Sequence, residues 1–163
     1  MNVSLFELPI FSTAKEVRDY FLPQREAGKK IVTTNGCFDI LHVGHVQYLS
    51  EAKRCGDILI VGINSDESVR RLKGPTRPLQ GENERAMLIS SLKMVDAAFV
   101  FREDDPRAFL EILRPDIHVK GGDYGKDLLE REVVERFGGK IQIVPFVKGY
   151  STTSLVEKIR TKE

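Results

Sequence analysis

The chain has 163 residues, 41% of them hydrophobic, which suits one globular domain with a real core and is short for two. Its 25 Lys and Arg stand against 24 Asp and Glu, a formal charge of +1, so no global field recommends nucleic acid or a membrane surface as partner, and any phosphate binding has to be local. The two cysteines, Cys37 and Cys55, fit neither a disulfide framework nor a CxxC pair, no apolar run is long enough to span a bilayer, and no basic leader precedes Glu7 and Pro9; the expectation is a cytoplasmic protein.

A helical lead-in is expected around Thr13 to Ala27, and residues 1–28 are read as a unit ahead of a main domain over 29–163. Five short apolar runs follow: Ile31 to Thr34, Ile58 to Ile63, Ala97 to Phe101, Ile117 to Lys120 and Ile141 to Val144. Between them Val46, Leu49 and Ala52, then Leu88, Leu92 and Val95, Phe109 and Leu113, and Leu129, Val133 and Phe137 recur at helical spacing. Short continuous strands alternating with amphipathic helices predict a three-layer α/β/α, Rossmann-like domain with a five-stranded parallel sheet, because parallel neighbours need crossovers that place helices on both faces. Ligands of such sheets bind beyond the carboxyl ends of the strands.

The first of those ends reads Asn35-Gly36-Cys37-Phe38-Asp39, with a helix expected to begin near His42 to His45. Two imidazoles three residues apart at a positive helix end, with Gly44 between them, suit a polyphosphate: unpaired backbone N–H groups face it and the glycine removes a side chain in its way. The imidazoles can donate to phosphate oxygens as pyrophosphate leaves, without a covalent intermediate. The plain alternative, two histidines that pack or cap a helix, explains a lone His better than a pair flanking glycine. A metal held by His42, His45, Asp39 and Cys37 is the other rival, and it competes with the phosphate that the helix end suits.

After the second run, Asn64, Ser65 or Asp66 can cap a helix, Asp66 can accept bonds from substrate hydroxyls, and Lys73 and Arg77 sit in a Gly/Pro-punctuated loop able to fold over phosphates. The fourth run leads into Lys120-Gly121-Gly122-Asp123-Tyr124, where a lysine ending an apolar strand needs solvent or an anion. The last leads to Gly149-Tyr150-Ser151-Thr152-Thr153-Ser154, where helix caps and phosphate ligands are chemically the same groups.

These residues resemble the cytidylyltransferase-like nucleotidyltransferases, marked by His-x-Gly-His after the first strand and a Ser-Thr-Thr motif opening the last helix; the match runs from about Lys29 to Ile159. Within that family the runs Thr34 to His42, Val61 to Gly74 and Val119 to Tyr124 are most similar to the adenylyltransferases that make ADP-heptose from a heptose 1-phosphate. The resemblance implies that a sugar 1-phosphate oxygen attacks the α-phosphorus of ATP in line, with Mg2+ bridging the triphosphate. It implies His42, His45 and Lys120 as catalytic groups. Asn35, Gly36, Cys37, Phe38, Asp39, Gly44, Gly122, Asp123, Ser151, Thr152 and Thr153 would contact the nucleotide, Asp66, Lys73 and Arg77 would contact the substrate, and no protein metal site is required.

The glycerol-3-phosphate cytidylyltransferases of the family, the runner-up, carry an arginine in a Pro-Arg-Thr-Glu-Gly pattern where this chain reads Pro145-Phe146-Val147-Lys148-Gly149, and an apolar residue at the place of Lys120. A length of 163 residues leaves no room for a fused kinase, so the sugar kinase and phosphatase are expected as separate proteins, and analogy admits a homodimer. A non-catalytic nucleotide sensor has the same helix ends to offer but no use for the paired histidines.

Overall fold

The computed structural model describes residues 8–122, 128–145 and 149–161. The five expected runs form strands β2 (Ile31–Gly36), β3 (Ile58–Asn64), β4 (Ala97–Phe101), β5 (Ile117–Gly121) and β6 (Lys140–Val144). The sheet has six strands rather than five, in the order β1-β4-β3-β2-β5-β6, every neighbouring pair parallel. The extra strand, β1 (Ile10–Phe11), is two residues at the β4 edge, directly after Pro9, too short to show a period and placed where a proline costs no ladder bond.

Helix α1 (Ala14–Glu26) starts where Thr13 accepts the Glu16 N–H, and its Ala14, Val17 and Phe21 join α5 (Arg107–Leu113) and α6 (Arg131–Arg136) over one face of the sheet. There Phe109 meets Phe99 and Phe101 edge-on, and a Cβ on Gly62 would come within 3.1 Å of the Phe109 ring. The other face is covered by α2 (Val43–Arg54) and α4 (Glu82–Ser90), which bury Leu49, Ala52, Ala86 and Ile89 against Val32, Leu59, Val61 and Ile63. Three expected apolar positions, Leu88, Leu129 and Phe137, are exposed. Leu88 is exposed because the inner face of α4 is made by Arg85, Ala86 and Ile89, and Leu129 is exposed because α6 starts after it and buries the adjacent pair Val133 and Val134.

The chain winds from β2 through β3 to β4 in one direction, then crosses to β5 and β6 on the other side of β2. The order therefore reverses between β2 and β5, and an open parallel sheet has its ligand crevice at such a point. At that junction a buried histidine sits inside the sheet: His118 is fully covered, its Nδ1 lies 2.8 Å from the Thr33 hydroxyl, and its Nε2 has no hydrogen-bond partner among the described residues. Burial first, and the nearby Lys120 charge second, press its pKa down to about 3. A native pKa below the ordinary histidine value of about 6.5 means that between those limits the unfolded chain binds a proton the folded one refuses. Stability should therefore fall as pH drops from about 6.5 toward 3, and urea denaturation should show a smaller fall over this window in His118→Asn than in the wild type.

Candidate active site

The reversal point opens into a cleft of about 530 Å³ lined by the ends of β2, β3 and β5 and the starts of α2 and α7 (Thr152–Arg160). It brings together most of the expected residues: Asn35, Gly36, Cys37, Phe38, His42, Gly44, His45, Lys73, Lys120, Ser151, Thr152 and Thr153. Among the described residues no carboxylate side chain lines it.

His42 is the N-cap of α2 and its backbone N–H donates to Nδ1 of His45, 3.3 Å away, so the His45 proton sits on Nε2. The two imidazoles stack with centroids 3.8 Å apart, and the Phe38 ring abuts His45 edge-on. Burial, then the neighbouring His42 and Lys73, bring the His45 pKa down to about 4, and burial lowers that of His42. Both rings are thus neutral N–H donors at pH 7, and their stacking is free of like-charge repulsion. Gly44 leaves room for the His42 ring and for the segment ahead of α7: a Cβ there would stand 2.9 Å from the ring and 3.0 Å from Cβ of Tyr150. Burial raises the Cys37 thiol, the nearby Lys73 and Arg85 opposing it only in part, so it lines the cleft as a neutral group.

The turn that carries these rings is strained. Phe38 and Ile40 have φ of 48° and 55°, a region that costs non-glycine residues of order 1–3 kcal/mol each unless their surroundings hold them there. Arg85, fully buried, does much of the holding. Its Nη1 donates to the Cys37 carbonyl at 2.6 Å, its Nε to the Gln80 carbonyl at 3.0 Å, and its Nη2 to Asp66 at 2.7 Å. Asp39 closes the turn from the other side, accepting from Arg77 at 2.8 Å and from the backbone N–H groups of Leu79 and Gln80. Burial alone would raise the Asp39 carboxyl; the Arg77 guanidinium and the two amides outweigh it and hold the group below the ordinary aspartate range.

Three of the expected contact residues have protein partners of their own. Asp39, Arg77 and Asp66 stand outside the cleft lining: the first two bind each other and Asp66 binds Arg85, and these pairs fasten loops together. Gly122 also lies outside the lining, with φ of 116° and its N–H on the Val144 carbonyl, and Asp123 lies outside the described residues. In the last motif, the Ser151 hydroxyl caps α7 by accepting the Ser154 N–H, and the Thr152 hydroxyl donates to the Asp39 carbonyl at 2.6 Å. For an anion this leaves the first backbone N–H groups of α7 and the Thr153 side chain.

Sequence reasoning missed Tyr48 in the lining and Arg85 as a support of the cleft, and read Asn64 only as a helix cap. Tyr48 was legible as the residue one turn beyond His45 on the same face of α2; its hydroxyl lies 2.6 Å from that of Thr34 and 3.1 Å from the Val119 carbonyl. Lys120, 15% exposed, pairs with Glu130 at 2.6 Å and reaches Asn35 Oδ1 at 3.4 Å. Among the described residues no three His, Cys, Asp or Glu side chains gather where they could hold a metal.

A strand-end turn with paired histidines, faced by a hydroxyl-rich helix start across a sheet's reversal point, defines a class, and the sequence agrees: a model of the cytidylyltransferase-like proteins matches residues 33–161, and the chain belongs to that family. The chain is similar to proteins each called bifunctional protein HldE, 49% identical over 146 residues in Syntrophotalea carbinolica and 54% identical over 139 in Geotalea uraniireducens. These matches cover 89% and 85% of this chain but only 30% and 28% of the relatives, so it spans less than a third of their length. A solved structure, described as the lipopolysaccharide core biosynthesis protein of Thermoplasma volcanium, superposes with a TM-score of 0.62 at 38% identity, covering 76% of this chain and all of the other.

Two substitutions separate the support from the rings. Arg85→Lys keeps the charge but not three directed bonds, and should lower stability to urea by about 1–3 kcal/mol. Gly44→Ala should leave the melting curve nearly unchanged yet, by pushing the His42 ring from its stack, cut turnover roughly 100-fold, the usual scale for displacing a reacting group by about an ångström.

Proposed function

We propose that the chain is an adenylyltransferase that joins ATP and a heptose 1-phosphate, giving ADP-heptose and pyrophosphate for surface-glycan precursors such as the lipopolysaccharide core. The observation that carries this reading is the neutral, stacked His42–His45 pair at the head of α2, in a cleft also lined by Lys73 and Lys120. The names of the relatives and of the solved neighbour support the choice of substrate.

In this reading the α-phosphate of ATP lies at the start of α2. An oxygen of the sugar phosphate attacks α-phosphorus as the bond to the bridging oxygen breaks, and pyrophosphate departs with that oxygen and its electron pair. Nε2–H of His45 and the His42 ring donate to the oxygens on which charge builds, and the start of α7 receives the β- and γ-phosphates. Lys120 and Lys73, on opposite walls, align the two anions and offset their repulsion; alignment is a large part of the barrier in such a displacement. Asp39, Asp66 and Arg77 keep the walls in register. Mg2+ bound with ATP would offset the charge of its phosphates; among the described residues no group of three His, Cys, Asp or Glu side chains gathers to hold it. The sugar phosphate comes from a kinase and a phosphatase activity, and the cytoplasm supplies the ATP.

Pyrophosphate release measured with ATP or CTP, Mg2+, and a panel of sugar 1-phosphates and glycerol 3-phosphate should show turnover with ATP and heptose 1-phosphate. Turnover confined to CTP and glycerol 3-phosphate would replace the substrate and keep the chemistry, whereas binding of nucleotide with no turnover on any pair would make the chain a sensor. His45→Ala should lower kcat by about 10²–10³, the scale of removing one transition-state donor.

A further inference from the structure

Glu130 is out of keeping with its place. A cleft suited to two phosphorylated molecules has a carboxylate, 5% exposed, directly behind one of its walls, where it repels what the cleft must bind. It stands immediately before α6, whose Val133 and Val134 are buried in the core, so a rigid element holds it. Its partner, Lys120, lies near the end of β5 and does line the cleft. The Nζ–Oε1 separation is 2.6 Å, and the same ammonium lies 3.4 Å from the side-chain Oδ1 of Asn35 on the neighbouring strand. A lysine carries a flexible four-carbon stem; pinned between Glu130 and Asn35, its head is fixed before any ligand arrives.

We propose that Glu130 is a positioning residue for the transfer: it fixes the Lys120 ammonium at the cleft wall and offsets part of its charge, so that the lysine aligns the reacting phosphates without holding pyrophosphate tightly. The proposal rests on the nucleotidyl-transfer reading for its kinetic part only. Binding that is equally strong before and after the transition state contributes nothing to kcat, and a carboxylate that weakens ground-state binding while sharpening geometry serves the rate.

The test compares wild type, Glu130→Gln, Lys120→Ala and the double variant, by pyrophosphate-release kinetics and by calorimetric titration with inorganic pyrophosphate. Glu130→Gln should lower kcat at least tenfold without raising KM for the sugar phosphate, and should bind pyrophosphate several-fold more tightly. In the Lys120→Ala background, where Glu130 is left without its cation, adding Glu130→Gln should tighten pyrophosphate binding further still, with no additional loss of kcat. A purely structural Glu130 would give the opposite pattern, KM rising and pyrophosphate affinity falling together. That result, or a kcat for Glu130→Gln within threefold of wild type, overturns the proposal. If the wild type turns over no substrate pair, the transfer reading fails, and the calorimetric arm still decides on Glu130: weaker pyrophosphate binding by Glu130→Gln rejects it. Should Glu130→Gln not fold, Glu130→Asp keeps the charge on a shorter stem and should lose kcat with pyrophosphate affinity unchanged; unchanged kcat rejects the proposal.

Discussion

The site depends on one buried guanidinium. Arg85 reaches out of α4, on the far side of the Cys37–Ile40 turn, and ties three separate pieces of backbone to one planar group: the end of β2, the loop before α4 and the start of α3 (Asp66–Lys73). A lysine has no such fork, and an apolar residue would leave two carbonyls and a carboxylate unpaired in a place water hardly reaches. With the turn held, Phe38 and Ile40 keep their left-handed conformations, α2 starts at His42, and both imidazoles fall into a stack at its head. The strain of the turn and the order of the rings are two sides of the same construction.

Charge in this region is sorted by depth. The carboxylates of Asp39, Asp66 and Glu130 lie behind the lining, each matched to a cation, while backbone amides, neutral imidazoles, hydroxyls and two lysine heads face the cleft. An incoming polyphosphate meets donors, and the acidic groups needed to shape the walls are already compensated before it arrives. The balance of 25 basic and 24 acidic residues is consistent with this: attraction for anions arises from local arrangement and not from net charge.

Much of this was legible in the sequence because it is periodic or local. The apolar runs gave the five longer strands, and His42-Val43-Gly44-His45 following a Gly-containing strand end located the cleft. Other features were hidden for physical reasons. A two-residue edge strand has no period to read. Arg85 interrupts the apolar face of α4 and looks like a surface residue until its three acceptors, 5, 19 and 48 residues away in sequence, are seen around it. Asp39, Asp66 and Arg77 are expected near the ligand from their chemistry, but a charged side chain at a strand end can equally bind a neighbouring loop, and the ion pairs that the three make became visible only in the fold. The hydroxyls of Ser151 and Thr152 illustrate the same ambiguity: one caps a helix and the other reaches a carbonyl 113 residues back in the chain.

That last bond has a consequence for how the cleft is assembled. Helix α7 carries one half of the phosphate-facing surface, yet none of its residues is buried, and its first residue is tied to the opposite half by the bond from the Thr152 hydroxyl to the Asp39 carbonyl. A helix so lightly anchored draws part of its stability from whatever lies between it and α2. Nucleotide occupancy and protection of the C-terminal helix from hydrogen exchange then become two readings of one equilibrium, with the triphosphate acting as a removable strut.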